Sequence, residues 1–476
     1  MFAIHLQSAF LKIPWILERP IARRAHALSP AHKLGLLSLI GATYFMVAGG
    51  PYGLEDIIGG AGYVRALLLL AIIPVIWSLP TSLMIGELAS AIPDEGGYYV
   101  WVRRAMGRFW GFQEAWLSLA ASVFDMALYP VTFVLYLSHM PYFGPALTSG
   151  YRGTAWGLAV VVGCALWNLR GAKAVGQSSV VMFCVLFAPF VVLIVVAFWK
   201  WHGHGSGALM QPVTSRDMAT AISVCLWNYM GWDNASTLAQ EVDDPQRNYP
   251  RAMLGSVAVV AASYMLPVLA VGLAGLAAGQ FSSGANDGTG TWAVAAVTIV
   301  GPVIGIGVVL GGMINGVGMF NPLVMSYTRL PIAMAQDGLL PKFFERVNKR
   351  AVPWVSVIFC AVIWALALRI PFAKLISIDL VLYGSSLLLE FIALVILRHR
   401  EPSLHRPIRV PGGMPGAIAI GICPALLIAY AMYAARDEQV MGMNALLFAA
   451  SVGITGALVY AVAGFIQRRA APTGSH

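Results

Sequence analysis

The sequence is short of charge. Only 11% of its 476 residues are Asp, Glu, Lys or Arg, while 59% are hydrophobic, against roughly 25% charged in an ordinary soluble chain. A water-soluble globular fold is excluded on that ground. Cysteine is scarce too: Cys164, Cys184, Cys225, Cys360 and Cys423 sit in separate apolar runs, which argues for free packed thiols and against a disulfide framework. Neither they nor the histidines form a His-Glu-x-x-His or a paired Cys-x-x-Cys spacing, so no metal site and no zinc enzyme is expected. A phosphate-binding glycine–lysine loop is missing as well, so ATP is not the expected energy source and no cofactor is called for. No polar stretch is long enough to fold as a separate domain. Residues 1–33 carry Lys12, Arg19, Arg23 and Arg24 around a short apolar stretch, without a small-residue cleavage site after it.

What the chain has instead is repeated apolar runs of the length that crosses a ~30 Å hydrocarbon core. Reading them between Gly, Pro and charge punctuation gives an all-α polytopic membrane protein of twelve spans: 34–61, 64–88, 109–138, 154–169, 174–200, 217–240, 251–279, 291–326, 353–370, 374–398, 414–434 and 441–467. The basic residues sort between the two sides. With the N-terminus cytoplasmic, 23 of the 30 Lys and Arg fall inside, leaving Arg65, Arg152, Lys200, Arg216, Arg369, Lys374 and Arg436 outside. That is the positive-inside bias of a plasma or inner membrane protein with both termini cytoplasmic. It accounts for the net charge of +9 without any nucleic acid; the partner is the lipid bilayer.

Two spans are interrupted in matching places. Span 1 is broken by Gly49-Gly50-Pro51-Tyr52-Gly53 and span 6 by Asn228-Tyr229-Met230-Gly231-Trp232-Asp233-Asn234. Glycine weakens a helix by ~1 kcal/mol and proline by ~3. Five spans separate the breaks, and an odd number makes the second half re-enter the membrane upside down, as an inverted repeat. Unwound backbone at bilayer depth survives where it lines a cavity, so paired breaks point to a transporter's substrate site. The plainer reading is that the glycines only let helices pack closely.

These strings, with Gly86-Glu87-Leu88-Ala89-Ser90-Ala91-Ile92-Pro93, Gly96-Gly97-Tyr98-Tyr99-Val100-Trp101 and the run from Glu241 to Ala252, resemble the amino acid/polyamine/organocation transporters. Within them the sequence is most similar to the plant and trypanosomatid polyamine–proton symporter branch, over about Lys33 to Arg398. The resemblance implies a leucine-transporter-type 5+5 fold: a core over 34–398 with inverted repeats 34–200 and 217–398, two appended helices over 414–467, and a cytoplasmic tail at 468–476. It departs from the branch at Asn321, where a carboxylate is usual, and at Phe124-Asp125, where polar Asn residues are usual; both bear on substrate choice.

An ionised side chain at bilayer depth costs at least ~2.5–3.5 kcal/mol, so each one is a functional candidate. Glu55, Asp125, Asp233 and Glu390 lie well inside spans, Asp56 and Asp379 nearer their ends, and no Lys or Arg lies mid-span. Glu55 falls in the first turn after the break, where free N–H groups and the helix dipole would otherwise receive a substrate carboxylate. It repels a carboxylate and offers a partner to an ammonium, or else only satisfies its own helix. Asp233 can meet an amine together with carbonyls freed near Trp227 and Asn228, or cap the resumed helix. Asp125 shares a face with Tyr129 at i,i+4.

The expected substrate site is therefore Gly50, Tyr52, Gly53, Glu55, Asp125, Trp227, Asn228, Trp232 and Asp233, with Tyr52, Trp227, Tyr229 and Trp232 able to cover an ammonium by cation–π contact. Glu55, Asp125, Asp233 and Glu390 are the proton-coupling candidates; Glu87 and Glu241, near the basic loops holding Arg103, Arg104, Arg247 and Arg251, are candidates for a cytoplasmic gate. The function expected is secondary active transport of a small-molecule organic cation, a polyamine or cationic amino acid. Protons are the coupling ion, with sodium the other option. The rivals are a neutral amino-acid permease of the same fold, in which the Gly50 to Leu54 backbone binds a carboxylate, and a non-transporting nutrient sensor. A membrane enzyme would need a nucleophile or metal constellation.

Overall fold

The computed structural model describes residues 33–202, 207–211, 217–281, 291–369, 372–440 and 442–470. The expected N-terminal segment (bar its last residue) and the end of the tail lie outside them, as does Arg216. The chain is helical almost throughout: α1 Leu36–Val47, α2 Glu55–Ala61, α3 Tyr63–Ala91 with a π-helical turn at Pro74–Ser78, α4 Gly97–Met106, α5 Arg108–Leu137, α6 Gly144–Thr148, α7 Gly150–Asn168 and α8 Ala172–Trp201. It continues with α9 Met218–Trp227, a 3₁₀ helix Trp232–Glu241, α10 Pro245–Leu273, α11 Thr291–Ile299, α12 Pro302–Tyr327, α13 Arg329–Gln336, α14 Trp354–Ala367, α15 Phe372–Arg400, α16 Gly413–Ala434 and α17 Ala445–Ala470.

Among the described residues, eight helices are long and apolar enough to cross a membrane, including α3, α5, α8, α10 and the span Pro302–Gln336. α8 makes the reason visible. Val181, Val185, Val191, Val195 and Trp199 are exposed along it, a continuous apolar surface that water would not tolerate and lipid does. The five cysteines are free; Cys164, Cys225 and Cys360 are buried, whereas Cys184 and Cys423 face outward.

Both expected breaks are present. α1 stops at Val47 and α2 begins at Glu55, with Gly50 at φ 85° and Gly53 at φ 88° between them, a backbone region that L side chains avoid. α9 stops at Trp227, and Gly231 at φ 91° opens the next element. That element is a 3₁₀ helix over Trp232–Glu241, where the sequence suggested a resumed α-helix. Gly231 also sits where a Cβ would lie 2.3 Å from the Met46 carbonyl oxygen, so the two interrupted segments approach backbone to backbone.

The apolar run 291–326, expected as one span, is two helices, α11 and α12. Gly301 at φ 142° and Pro302, which has no N–H to donate to the preceding turn, separate them. α12 packs against both α5 and α8, and α15 packs against α5. These helices and the two broken segments surround the site.

Candidate functional site

A cavity of about 510 Å³ lies between the two breaks. Four carboxylates line it, Glu55 and Asp56 from α2, Asp125 from α5 and Asp379 from α15, and among the described residues no Lys, Arg or His does. The breaks are tied to each other across it: Asn228 Nδ2 donates to the Gly53 carbonyl at 3.2 Å and to Val224 O at 2.9 Å. Tyr264 in turn donates to the Asn228 carbonyl at 2.8 Å.

Glu55 is buried, 4% exposed. Its Oε2 accepts the Gly53 N–H at 2.7 Å, and Tyr136 reaches Oε1 at 3.4 Å. One oxygen thus caps the interrupted backbone at Gly53 and the other is held loosely, so capping and ligand contact are compatible roles for the same side chain. Asp125 accepts a hydrogen bond from Tyr129 on its own helix, with Tyr327 at 3.5 Å from its other oxygen. Tyr52 lines the cavity with its hydroxyl anchored to the Val308 carbonyl at 2.6 Å and its ring edge-on to Tyr136.

The remaining expected residues divide. Gly53, Trp227 and Asn228 line the cavity; Gly50, Trp232, Asp233 and Glu390 do not. Asp233 lies behind Tyr383, whose hydroxyl donates to it and accepts the Gly231 N–H at 2.9 Å. Tyr383 itself faces the cavity. Trp232 and Tyr229 are packed inside, the Tyr229 hydroxyl bound to Leu70 O at 2.9 Å. Asn321 is also away from the cavity: Asn168 donates to its side-chain oxygen at 2.8 Å, and it reaches Ser178 at 3.3 Å. The departure from the acidic residue of the polyamine branch therefore alters packing among α7, α8 and α12.

Glu87 and Glu241 are ion-paired, with partners the sequence did not suggest. Glu241 accepts from Arg329 Nε at 2.8 Å. Glu87 accepts from Arg398 Nε at 2.8 Å, with Arg406 at 3.2 Å. The nearby Arg103 and Arg104 go to Asp337 and Glu401.

Part of the uncharged lining, Thr132, Tyr136, Asn315, Met319 and Tyr383, has no counterpart among the residues expected from the sequence. Asp125, Tyr129, Thr132 and Tyr136 all face the cavity, a stripe at i, i+4, i+7 and i+11 that the helical period makes legible. Asn315 with Met319, and Asp379 with Tyr383, repeat the i,i+4 pattern on α12 and α15. Glu114, fully buried on α5, was overlooked because it lies close to the basic end of its helix.

Residues 34–463 match the model of the amino acid permease family. A polyamine transporter of Arabidopsis thaliana is 32% identical over 419 residues, covering 87% of this chain and 83% of the relative. A polyamine transporter of Oryza sativa subsp. japonica is 33% identical over 403 residues, covering 84% and 74%. A serine/threonine exchanger of Bacillus subtilis (strain 168) is more distant, 26% identical over 386 residues, covering 79% and 83%.

Proposed function

The chain belongs to the amino acid permease family, and from that premise we propose that it is a secondary active transporter, not an enzyme, that carries polyamines or cationic amino acids by alternating access. One observation carries the choice of substrate: Glu55, Asp125 and Asp379 line a cavity that receives no cation from the described residues. A substrate carboxylate would enter uncompensated negative charge there, while one or two ammonium groups would neutralise it. The similarity to polyamine transporters of two plants points the same way. Tyr52 and Trp227 offer ring faces to an ammonium, and Glu55 and Asp125 are its proposed carboxylate partners.

The reading includes a proton as coupling ion, twelve spans with inverted repeats 34–200 and 217–398, and both termini in the cytoplasm. Glu87 and Glu241 serve in it as cytoplasmic gate residues. The test is a competition screen in proteoliposomes, with spermidine, putrescine, arginine and leucine set against one labelled substrate. Spermidine, putrescine or arginine should displace the label at concentrations at least tenfold below leucine. If leucine wins, the substrate is a neutral amino acid and the acidic lining serves another purpose.

A further inference from the structure

Two helices that line the cavity carry their polar stripe on beyond it. On α5, Asp125 is followed toward the basic end of the helix by Ser118 and Glu114; on α15, Asp379 and Tyr383 are followed by Ser386 and Glu390. In each case 11 residues separate the cavity acid from the glutamate. At ~1.5 Å per residue that places both glutamates about 16 Å from the cavity acids and on the same helix face. The two helices pack against each other, and both glutamates are 0% exposed.

Their hydrogen bonding is incomplete. Glu114 Oε1 accepts from Ser118 at 2.9 Å. Its other oxygen, both oxygens of Glu390 and the hydroxyl of the fully buried Tyr98 on α4 have no hydrogen-bond partner among the described residues. Tyr98 lies within the fields of Glu114, Glu390 and Asp233, and Glu390 within those of Glu114 and Asp233, so the three acids and the phenol form one cluster. Among the described residues, the arginines of these helices and of the elements packed on them bind elsewhere: Arg103 and Arg108 with Asp337, Arg104 with Glu401, Arg152 with Ala146 O, Arg329 with Glu241, Arg398 with Glu87 and Arg400 with Ala105 O. α16 carries no carboxylate or cation, and α17 none before Arg468.

Two carboxylates buried together without a cation cannot both stay ionised except at a cost of several kcal/mol. We propose that Glu114 and Glu390 form a proton-binding pair, separate from the substrate cavity, that holds the proton moved with the substrate. Tyr98 supplies a hydroxyl that donates to the ionised member. Asp233, reached from the cavity through Tyr383, links the pair to the substrate site. In each cycle a proton arriving from the cavity side forms an O–H bond at one of the two carboxyls and leaves toward the basic face, restoring the pair. The proposal rests on the proton-coupled reading above.

The full chain in proteoliposomes separates the two ideas. Exchange of labelled for unlabelled spermidine at equal pH reads substrate binding and alternation; accumulation under an inward proton gradient reads coupling. Glu390→Gln and Glu114→Gln should keep exchange within about threefold of the parent and lose gradient-driven accumulation at least tenfold. A purely structural role would lower both measurements together and would overturn the proposal, as would full accumulation in both variants and in their double. Should Glu114→Gln fail to fold, Glu390→Gln carries the same comparison, and Glu114→Asp, which keeps a titratable carboxyl, should retain both exchange and accumulation. A parent protein that exchanges spermidine but ignores the gradient defeats proton coupling and this pair while leaving the cation reading intact; one that exchanges no cation defeats the cation reading itself.

Discussion

Glu55 shows how a single residue serves fold and site at once. Its Oε2 accepts the Gly53 N–H and so helps hold the break open, while the carboxylate as a whole faces the cavity. Glu55→Gln keeps an oxygen for the Gly53 N–H and removes the charge. A hydrogen bond to a charged partner contributes about 1.5–3 kcal/mol, so polyamine affinity should fall roughly ten- to a hundredfold, read as KM for spermidine uptake, with expression unchanged. Asp125→Asn should do the same. Unaltered KM in both variants would remove the acids from the site. Asp217 is a contrasting case at the exposed start of α9: its side chain accepts from the Thr220 N–H at 3.0 Å and from the Thr220 hydroxyl at 2.6 Å, as the N-cap of that helix. Those hydrogen bonds hold its carboxyl below the usual value of 3.8. A depressed value means the stabilisation is present above the ordinary carboxylate pKa and disappears as pH falls through the folded-state pKa. Asp217→Ala should therefore cost ~0.5–2 kcal/mol at neutral pH, and the difference in thermal unfolding from the parent should close in acid. Glu55 and Asp125 were legible in the sequence because burying a charge is expensive. Tyr383, Tyr327 and Asn315 were not, because a buried Tyr or Asn is ordinary in a membrane bundle and only its placement around the cavity distinguishes it.

The elements that matter most are the ones that are interrupted. Gly-Gly-Pro-Tyr-Gly announces the first break in the sequence, since its three glycines and its proline oppose continued α-helix, and α1 ends ahead of it at Val47. The second break rests on Gly231 alone, and the tight 3₁₀ winding after it had no sequence signature. The division of 291–326 was missed because hydropathy stays high across Gly301 and Pro302; backbone chemistry, not polarity, makes that turn. Substitutions at these points should behave differently from substitutions elsewhere. Gly53→Leu forces a side chain into left-handed backbone beside Asn228 and Trp227, where an added Cβ lies 3.4 Å from Asn228 Oδ1; uptake should be abolished while membrane expression persists. Gly231→Ala, with its Cβ 2.3 Å from a carbonyl oxygen, should lower both expression and uptake. Gly163→Ala on α7, where nothing lies within 4 Å, should be neutral in both. Normal uptake by Gly53→Leu would make the glycines packing devices only.

At the scale of the whole molecule, charge is segregated. The cavity is acidic, with no cation among the described residues of its lining, and Arg103, Arg104, Arg329, Arg398 and Arg406 meet acids where helices end. In the proposed topology those helix ends lie in the cytoplasm, as the positive-inside bias requires. Cysteines introduced at Ser29 and Thr473 should then label only from the cytoplasm, and those at Gly205 and Gly284 only from outside; termini on opposite sides would break the twelve-span topology. The Arg329–Glu241 pair is buried among these contacts, Arg329 being 1% exposed and bridging the 3₁₀ segment to the end of α12 through Glu241 and the Met325 carbonyl. Removing one partner strands a buried charge, so Arg329→Met should destabilise the protein by about 3–5 kcal/mol, whereas replacing both partners, Glu241→Leu with Arg329→Met, should recover most of that loss. Stability alone does not reveal a gate. If the pair holds the second broken segment against α12 while the cytoplasmic side is shut, the stable double variant should spend more time open, and a cysteine at Asn234 should label faster from the cytoplasmic side than in the parent. Equal labelling rates in a double variant of near-parental stability would make the pair a scaffold and would leave closure of the cytoplasmic side to Glu87 and the arginines around it.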